Sequence, residues 1–353
     1  MITVKKTLFT LATIILSFLI IEIFLGYFLW LKKSGVSSTT YYTANKIYSR
    51  LYPYNNIKIS FSPKSPVIPD QYLGYSDYPG SYTFELKDEI TNKYHIFKST
   101  INENGNRITS FAPKLHEGKK EIWIFGDSYT YGWGNNDETT FPFFLQQFLP
   151  HFRIVNYAHD GYGNVHAYLQ LKRELKANNI SPGIIVIVYG DYFNVRNVAA
   201  PSRLKEYRYK NDVFLKIDPS TFRHPKAFVN GGKLEMEYVP LFRKFNQESN
   251  DKDPAVEYQH TVTKKILGEI YDMGEKKGAK LILAFIRGSN SEDVISFARK
   301  YGYIISDIRP KSDINEWDDF NPFDSHPGPL AQNHYAIKLY KTISENISNS
   351  EKN

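Results

Sequence analysis

The sequence predicts an α/β protein with a mostly parallel sheet, and three features of the chain support this prediction. From residue 119 onward, apolar runs of strand length alternate with segments of helical spacing, which is typical of a parallel sheet covered by helices. Residues 183–189 are almost entirely apolar, as in a strand that is buried on both faces. The third feature is a short apolar run, residues 122–125, that stops at Gly126. A turn there would leave Ser128 at the carboxyl edge of the strand.

Length and composition fit a globular chain of about two domains. The chain has 353 residues and a formal net charge of +7, and it lacks the long basic run that would indicate nucleic-acid binding. It contains no cysteine, which excludes disulfides, thiolate metal sites and a cysteine nucleophile. No His, Asp and Glu cluster has metal-ligand spacing, and no glycine-rich loop has the pattern of a phosphate cradle. We therefore expect neither a metal nor an organic cofactor.

Residues 7–31 predict a membrane-spanning helix. They hold sixteen Leu, Ile or Phe residues and one charge, Glu22, and about 20 apolar residues suffice to cross a bilayer. The run is longer than the core of a cleaved signal peptide, the alternative, and no small-residue cleavage site follows it. The short basic amino terminus favours a cytoplasmic start, although Lys32 and Lys33 oppose this orientation. We expect residues 1–33 to form an anchor, with the main domain on the extracytoplasmic side.

Residues 34–115 predict a linker that leads into a small β-rich extension. Residues 37–69 are rich in Ser, Thr, Tyr, Asn and Pro and have weak periodicity. Two β-branched and aromatic runs follow, at 82–86 and 94–101, and a polar turn separates them. Runs of this composition indicate strands.

The α/β domain is predicted to span residues 116–353. After the serine turn we expect helices at 141–149, 165–177, 256–277, 291–301 and 328–347, and strands at 153–157, 183–189, 279–286 and 303–306. Residues 203–252 interrupt this alternation with mixed, aromatic-containing sequence. Long insertions of this kind are commonly functional lids or disordered loops, so we expect a lid or acceptor-binding flap at about 200–252.

A histidine near the end of the chain could make Ser128 a nucleophile. His326 follows the last predicted strand, so a parallel sheet would place it at the same edge as Ser128. Asp324 stands two residues before it. His326 would accept the Ser128 proton, and Asp324 would hold the imidazole tautomer. In the alternative interpretation, Ser128 only caps the helix that follows it, and Asp324 caps the last helix.

Acyl-transfer chemistry also needs hydrogen-bond donors where negative charge develops on the carbonyl oxygen. The backbone N–H of Ser128 is one candidate. Gly161, after the second strand, is another, because glycine permits a close backbone approach. A third donor is expected after the strand at 183–189.

The same residues resemble the ordered sequence blocks of the SGNH/GDSL hydrolases. The matching blocks are Gly126-Asp127-Ser128, Asn156 with Gly161-Tyr162-Gly163, and Asp324-Ser325-His326. The resemblance covers about residues 119–347 and implies a flavodoxin-like three-layer α/β/α fold. It further implies that Ser128 is the nucleophile, that Gly161 is an oxyanion donor, and that His326 and Asp324 are the base and its orienting partner. Members of this family are esterases, lipases and carbohydrate O-acetyl esterases or transferases.

The chain departs from the family pattern in its third block. Family members usually show Gly-x-Asn-Asp there, whereas residues 189–197 read Tyr-Gly-Asp-Tyr-Phe-Asn-Val-Arg-Asn. We predict that Asn194 completes the oxyanion hole in place of the family asparagine. Asn197, Arg196 and Asp191 are the alternatives.

The chain also departs from the usual family pattern in its last block, and there it resembles the membrane-anchored bacterial members. Only Ser325 separates Asp324 from His326, where the family usually has two residues, and some anchored members share this shorter spacing. Residues 73–80 and 102–107 also resemble the segment that precedes the domain in anchored members.

The sequence therefore predicts a membrane-anchored serine esterase or O-acyltransferase that acts through an acyl-serine intermediate. The expected substrate is an ester, above all an O-acetyl group of an envelope or exported polysaccharide. Hydrolase and transferase differ only in the acceptor, water or a sugar hydroxyl, and the sequence leaves both open. The altered third block also suggests an alternative, a catalytically weakened glycan-binding or scaffolding domain of an envelope complex.

Overall fold

The computed structural model describes residues 13–18, 20–21, 57–88, 92–177, 181–210, 218, 221–240, 252–286, 291–309, 320, 323 and 325–347. The chain divides into two compact units, residues 1–58 with 88–92, and residues 59–87 with 93–353. In the first unit, residues 13–18 and 20–21 are helical and exposed. None of the helices in the described part of the chain has both the length and the apolar character needed to cross a bilayer. Most of the predicted anchor at residues 7–31 lies outside the described residues.

The β-rich extension, most of which belongs to the second unit, forms two small sheets. The strands upstream of residue 116 are β1 (Ile57–Ser62), β2 (Val67–Asp70), β3 (Gly74–Asp77), β4 (Gly80–Asp88) and β5 (Lys93–Ile101). One sheet has the order β1-β4-β5, and β2 pairs with β3 antiparallel. The predicted strands at 82–86 and 94–101 lie within β4 and β5. β1 and β2 lie at the end of the segment predicted as a linker. Their short length and the prolines obscure the alternation of apolar and polar residues that would indicate a strand.

The parallel sheet predicted from residue 119 onward is confirmed. Its five strands are β6 (Glu121–Phe125), β7 (Arg153–Asn156), β8 (Ile184–Tyr189), β11 (Lys280–Phe285) and β12 (Ile304–Asp307). They stand in the order β12-β11-β8-β6-β7, and all neighbouring strands are parallel. This is the flavodoxin-like order, with its switch point between β6 and β8. Sheets of this order bind ligands at the carboxyl edge of that point, which is where Ser128 follows β6.

Helices cover both faces of the sheet. They are α1 (Ser128–Tyr131), α2 (Phe141–Phe148), α3 (Asn164–Ala177), α4 (Phe193–Asn197), α5 (Pro201–Lys210), α6 (Val256–Glu275), α7 (Glu292–Tyr301) and α8 (Pro329–Asn346). On one face, alternate strand residues such as Ile122 and Val186 share a buried cluster with α2 and α8. On the other face, α3 packs against β8 and α6 against β11. Both faces of the central strands are therefore covered, which explains their unbroken apolar runs.

The insertion predicted at about 200–252 holds α5 and an antiparallel hairpin. Its strands are β9 (Arg223–Asn230) and β10 (Lys233–Pro240). β9 packs against α6 and β3, and the Tyr238 hydroxyl donates a 2.9 Å hydrogen bond to the Tyr72 carbonyl. The hairpin therefore lies against the β-rich extension. Residues 211–217, 219–220 and 241–251 lie outside the described part, and the lid function stays a prediction.

Candidate active site

The serine turn starts where β6 ends, and it depends on a glycine. A Cβ atom at Gly126 would lie 2.1 Å from Thr130 Oγ1, so a larger residue would displace α1. Asp127 is the N-cap of α1, because its side chain accepts a hydrogen bond from the Tyr129 N–H. The alternative prediction that Ser128 itself caps this helix is therefore wrong. The Ser128 side chain is left to a different partner.

That partner is the imidazole of His326. Ser128 Oγ lies 2.8 Å from His326 Nε2, although 198 positions separate the two residues in the chain. When Nε2 carries no proton, the hydroxyl can donate to it, as a nucleophile does to its general base. Asp324, which we predicted to orient His326, lies outside the described residues. Its role stays a prediction.

Two amide side chains tie the histidine loop to the segment that follows Ser128. Asn135 Nδ2 donates to the Pro327 carbonyl at 2.9 Å. Gln332 Nε2 donates to the Tyr129 carbonyl at 3.0 Å, and its Oε1 accepts from the Phe141 N–H at 2.8 Å. Both amides are buried, so water competes little for these bonds. No motif or periodic pattern in the sequence pointed to either residue.

Aromatic rings stand beside the Ser128–His326 pair. The ring centroids of Tyr129 and Trp133 lie 5.2 and 6.5 Å from that of His326. Tyr192 follows at 6.3 Å from Tyr129. Such rings reduce the access of water to the site, and this strengthens the electrostatic interactions inside it.

The turn that carries Gly161 lies beside the serine turn. It follows β7, the neighbour of β6, and the His159 N–H donates to the Gly126 carbonyl at 3.4 Å. Gly161 has a φ of +82°, a left-handed conformation that glycine adopts without strain. Neither the Ser128 N–H nor the Gly161 N–H donates a hydrogen bond within the described chain. Buried N–H groups rarely lack an acceptor, so both groups are suited to bind an oxygen of a ligand.

The structure places the asparagines of the third block between α4 and its neighbours. Asn194 Oδ1 accepts from the Thr263 hydroxyl at 2.8 Å, and Asn194 Nδ2 donates to the Tyr189 hydroxyl at 3.0 Å. Asn197 Oδ1 accepts from the Val165 N–H at 3.0 Å. These bonds fix the packing of α4 against α3 and α6. The predicted oxyanion role of Asn194 stays a prediction.

Arg196 connects the third block with the first two. Its Nη1 donates to Asp127 Oδ2 at 2.9 Å and to the Tyr162 carbonyl at 2.7 Å. The guanidinium also lies 4.6 Å from the centroid of the Tyr192 ring. The arginine therefore compensates a buried carboxylate next to Ser128 and ties together the loops that follow β6, β7 and β8. From the sequence, Arg196 was predicted only as an alternative oxyanion donor.

His159 lies against a buried carboxylate behind the Gly161 turn. Its Nε2 lies 2.9 Å from Asp77 Oδ1, and its Nδ1 lies 3.1 Å from the Asp160 carbonyl oxygen. Burial opposes the charged ring, but the Asp77 carboxylate and the Asp160 carbonyl together outweigh it and raise the pKa of His159.

His224, on β9, behaves in the opposite way, because burial lowers its pKa to about 3. Among the described residues, no cluster of His, Cys, Asp or Glu could hold a metal ion.

Comparisons with known proteins gave similarities to solved structures. No protein-family model and no curated protein matches the chain. The chain is similar to the crystal structure of TesA, with 13% identity, a TM-score of 0.38, and coverage of 65% of this chain and 100% of that one. A lipolytic protein of the G-D-S-L family from Veillonella parvula gives 12% identity, a TM-score of 0.38, and coverage of 64% and 98%. The acetyl xylan esterase Est2A from Butyrivibrio proteoclasticus gives 14% identity, a TM-score of 0.37, and coverage of 64% and 63%. These identities and TM-scores are too low to transfer a function, so the chemistry of the site is inferred from the residues of this chain alone.

Proposed function

We propose that the chain is a serine esterase or O-acyltransferase of the SGNH/GDSL type. One observation carries this proposal: Ser128 Oγ lies 2.8 Å from His326 Nε2. A hydroxyl that is hydrogen-bonded to an imidazole can act as a nucleophile with its base. The pair also lies at the sheet edge where folds of this order bind ligands.

In the proposed reaction, His326 takes the Ser128 proton as Oγ attacks the carbonyl carbon of the ester. The N–H groups of Ser128 and Gly161 stabilise the oxyanion, with Asn194 as the predicted third donor. The intermediate collapses to an acyl-serine, and His326 gives its proton to the departing alcohol. His326 then deprotonates the acceptor, water or a sugar hydroxyl, whose oxygen attacks the acyl-serine. The acyl group passes to the acceptor, and His326 returns the proton to Ser128 Oγ. Asp324 orients His326 through both steps.

The proposed substrate is an O-acetyl group on an envelope or exported polysaccharide. The ring of Tyr129, which is partly exposed beside His326, is suited to stack on a sugar, and the predicted anchor at 1–33 would hold the domain at the envelope. A phosphatase reporter that is active only outside the cytoplasm, fused after Asn353, should be active in cells. An inactive reporter would contradict the proposed location.

The test uses the full-length chain in detergent and a small acetyl ester, p-nitrophenyl acetate. Ser128→Ala should lower kcat by at least about 10³-fold, since loss of a nucleophile removes most of the rate enhancement. It should also abolish labelling by a serine-reactive fluorophosphonate. Ser291→Ala is a matched control, because Ser291 Oγ also lies near a histidine, 3.3 Å from His260 Nε2. Wild-type turnover in Ser128→Ala, or loss of turnover only in Ser291→Ala, would contradict the assignment of the nucleophile.

Product analysis separates hydrolysis from transfer. The wild-type chain is incubated with the acetyl ester and an unacetylated oligosaccharide. Acetylated oligosaccharide as the main product would identify a transferase, whereas free acetate alone would identify a hydrolase.

The bonds of Asn194 favour a second candidate function, a catalytically weakened domain that binds glycan or organises an envelope complex. With its amide committed to Tyr189 and Thr263, the site would have two oxyanion donors instead of three. Loss of one such donor slows an enzyme by about 10²–10³-fold. Measurable glycan binding without fluorophosphonate labelling would favour this candidate over the enzyme.

A further inference from the structure

The peptide bond between Asp160 and Gly161 is held by two side chains. The hydroxyl of Tyr75, on β3, donates to the Asp160 carbonyl at 2.6 Å. Nδ1 of His159 lies 3.1 Å from the same oxygen. Tyr75 is 1% exposed and Asp160 is 8% exposed, so water hardly competes for the carbonyl.

A hydrogen bond to the Asp160 carbonyl also orients the Gly161 N–H. Both groups belong to one planar trans peptide, in which they point in opposite directions. Glycine itself imposes little preference on its backbone, so the groups that hold the carbonyl decide where the N–H points. Donors on the carbonyl also polarise the peptide and strengthen its N–H as a donor, by about 10–30% per bond.

The next two carbonyls of the turn are held in the same manner. The Tyr207 hydroxyl and Arg203 Nη2, both on α5, donate to the Gly161 carbonyl. Arg196 Nη1 donates to the Tyr162 carbonyl. Side chains thus bind the carbonyls of three successive residues, which fixes the orientation of each peptide in the turn.

Asp77 connects this turn to the β-rich extension a second time. It is separated from Tyr75 by one residue on β3, so both side chains leave the same face of the strand. Its carboxylate lies 2.9 Å from His159 Nε2. The His159 ring therefore lies between the Asp77 carboxylate and the Asp160 carbonyl, and the carboxylate attracts the ring electrostatically when the ring is protonated.

We propose that Tyr75, supported by the Asp77–His159 pair, is a positioning residue that presents the Gly161 N–H to the transition state of acyl transfer. This inference rests on the function proposed above. The β-rich extension thereby completes the oxyanion hole of a site whose nucleophile and base are carried by the parallel sheet.

The test is Tyr75→Phe in the full-length chain, a change that removes the hydroxyl and keeps the ring. The oxyanion exists only in the transition state, so kcat for p-nitrophenyl acetate should fall by about 10-fold or more with KM nearly unchanged. The rate of labelling by a fluorophosphonate should fall by a similar factor, because its phosphoryl oxygen takes the oxyanion position.

Tyr82→Phe is the matched control. Tyr82, on β4, is also buried, and its hydroxyl also donates to a backbone carbonyl, that of Tyr78 at 2.9 Å. Within the described part of the chain its hydroxyl bonds only to the carbonyls of Tyr78 and Pro79, away from the Gly161 turn, so kcat and the labelling rate should equal those of the wild type. Thermal unfolding of both variants shows whether they fold. If Tyr75→Phe does not fold, Asp77→Asn carries the same test, with the same expected loss in kcat at constant KM.

Equal kcat values for Tyr75→Phe and Tyr82→Phe would overturn the inference and leave the proposed function standing. A rise in KM at constant kcat would also overturn it, since that result reports lost ground-state binding. If the wild-type chain shows neither turnover nor labelling, the proposed function fails, and the inference fails with it.

Discussion

The carboxylate of Asp127 is fully buried and accepts a hydrogen bond from Arg196, whose side chain is 11% exposed. Removing one partner of a buried ion pair leaves the other charge without compensation, which typically costs about 3–5 kcal/mol. We therefore expect Arg196→Met to lower the free energy of unfolding by about this amount, measured by urea denaturation. Adding Asp127→Asn to the same chain should restore part of the loss, because the buried charge is then removed as well.

An exposed arginine provides the comparison for Arg196. Arg299 lies 3.8 Å from Glu292, and both side chains are more than half exposed. Exposed pairs contribute roughly 0–1 kcal/mol, so Arg299→Met should change the free energy of unfolding by about 0.5 kcal/mol or less. Similar losses for Arg196→Met and Arg299→Met would show that the buried pair has no special role.

The raised pKa of His159 makes the contribution of its ion pair dependent on pH. Burial opposes protonation, but the Asp77 carboxylate and the Asp160 carbonyl raise the pKa of His159 above the value of about 6.5 expected in the unfolded chain. The stabilisation is therefore complete below about pH 6.5 and is lost as the pH rises through the folded-state pKa. The difference in free energy of unfolding between wild type and His159→Gln should be larger at about pH 6 than at about pH 9.

His224 supplies a control of opposite sign. Burial lowers its pKa to about 3, so below about pH 6.5 the unfolded chain binds a proton that the folded chain does not. Wild type should therefore lose stability relative to His224→Gln as the pH falls below that value. A difference between wild type and His159→Gln that does not vary with pH would contradict the charged state of His159.

At the scale of elements, the turn from β6 to α1 depends on the absence of a side chain at Gly126. A Cβ there would lie 2.1 Å from Thr130 Oγ1 and 2.6 Å from Thr130 Cβ, and the buried Thr130 has little room to move. Overpacking of this kind typically costs 1–3 kcal/mol. We expect Gly126→Ala to lower the urea midpoint accordingly, and to lower kcat as well, because α1 carries Ser128.

Gly183, just before β8, is the matched control for this turn. A Cβ there would lie 2.2 Å from Cε of Lys120, the far end of a flexible side chain that can move aside. Gly183→Ala should therefore change the free energy of unfolding by about 0.5 kcal/mol or less. Equal losses for the two glycines would indicate a general backbone effect and not a steric requirement of the serine turn.

The sequence predicts best the strands that are buried on both faces, because their residues are apolar without interruption. The apolar run at 183–189 predicted β8, which begins one residue later at Ile184. The helices α4 and α5 escaped prediction, because α4 has only five residues and α5 is mainly polar with no clear apolar stripe.

The order of the sequence blocks predicted that Ser128 and His326 lie at one edge of the sheet, and the structure brings their side chains together. The residues whose side chains bind the backbone of the active-site loops could not be predicted from sequence blocks. Tyr75 binds the carbonyl of Asp160, 85 positions away, and Asn135 binds a carbonyl 192 positions away. A side chain that pairs with a distant backbone group leaves no periodic pattern in a single sequence.

At the scale of the whole molecule, residues 59–87 and 93–353 form one compact unit, and Arg107 joins its two parts. Arg107 is 1% exposed and pairs with Asp137 at 2.9 Å. Its guanidinium also donates to four backbone carbonyls, those of Lys98, Tyr131, Gly132 and Asn135. Three of these carbonyls belong to the segment just after Ser128, so one buried cation fixes both the extension and the serine turn.

Arg173 also joins the extension to the sheet domain, but at the surface. It lies 3.3 Å from Asp70, and its side chain is 38% exposed. Arg173→Met should therefore cost less than about 1 kcal/mol. Arg107→Met should cost about 3–5 kcal/mol, because it leaves Asp137 and the carbonyls without their partner.

Urea unfolding followed by two probes tests whether the extension and the sheet unfold together. Trp133 stands next to Phe97 of the extension, with ring centroids 5.1 Å apart. The chain has four tryptophans, so the first probe is the Trp133 signal in fluorine NMR of fluorotryptophan-labelled protein, which reports on this contact alone, and the second is circular dichroism, which reports on the helices around the sheet. Because the buried arginine belongs to both parts, we expect the two transitions to coincide in the wild type. In Arg107→Met they should shift together to lower urea. Two separated transitions in the wild type would show that the extension folds independently, and Tyr75 could then leave the Gly161 turn without unfolding the domain that carries Ser128.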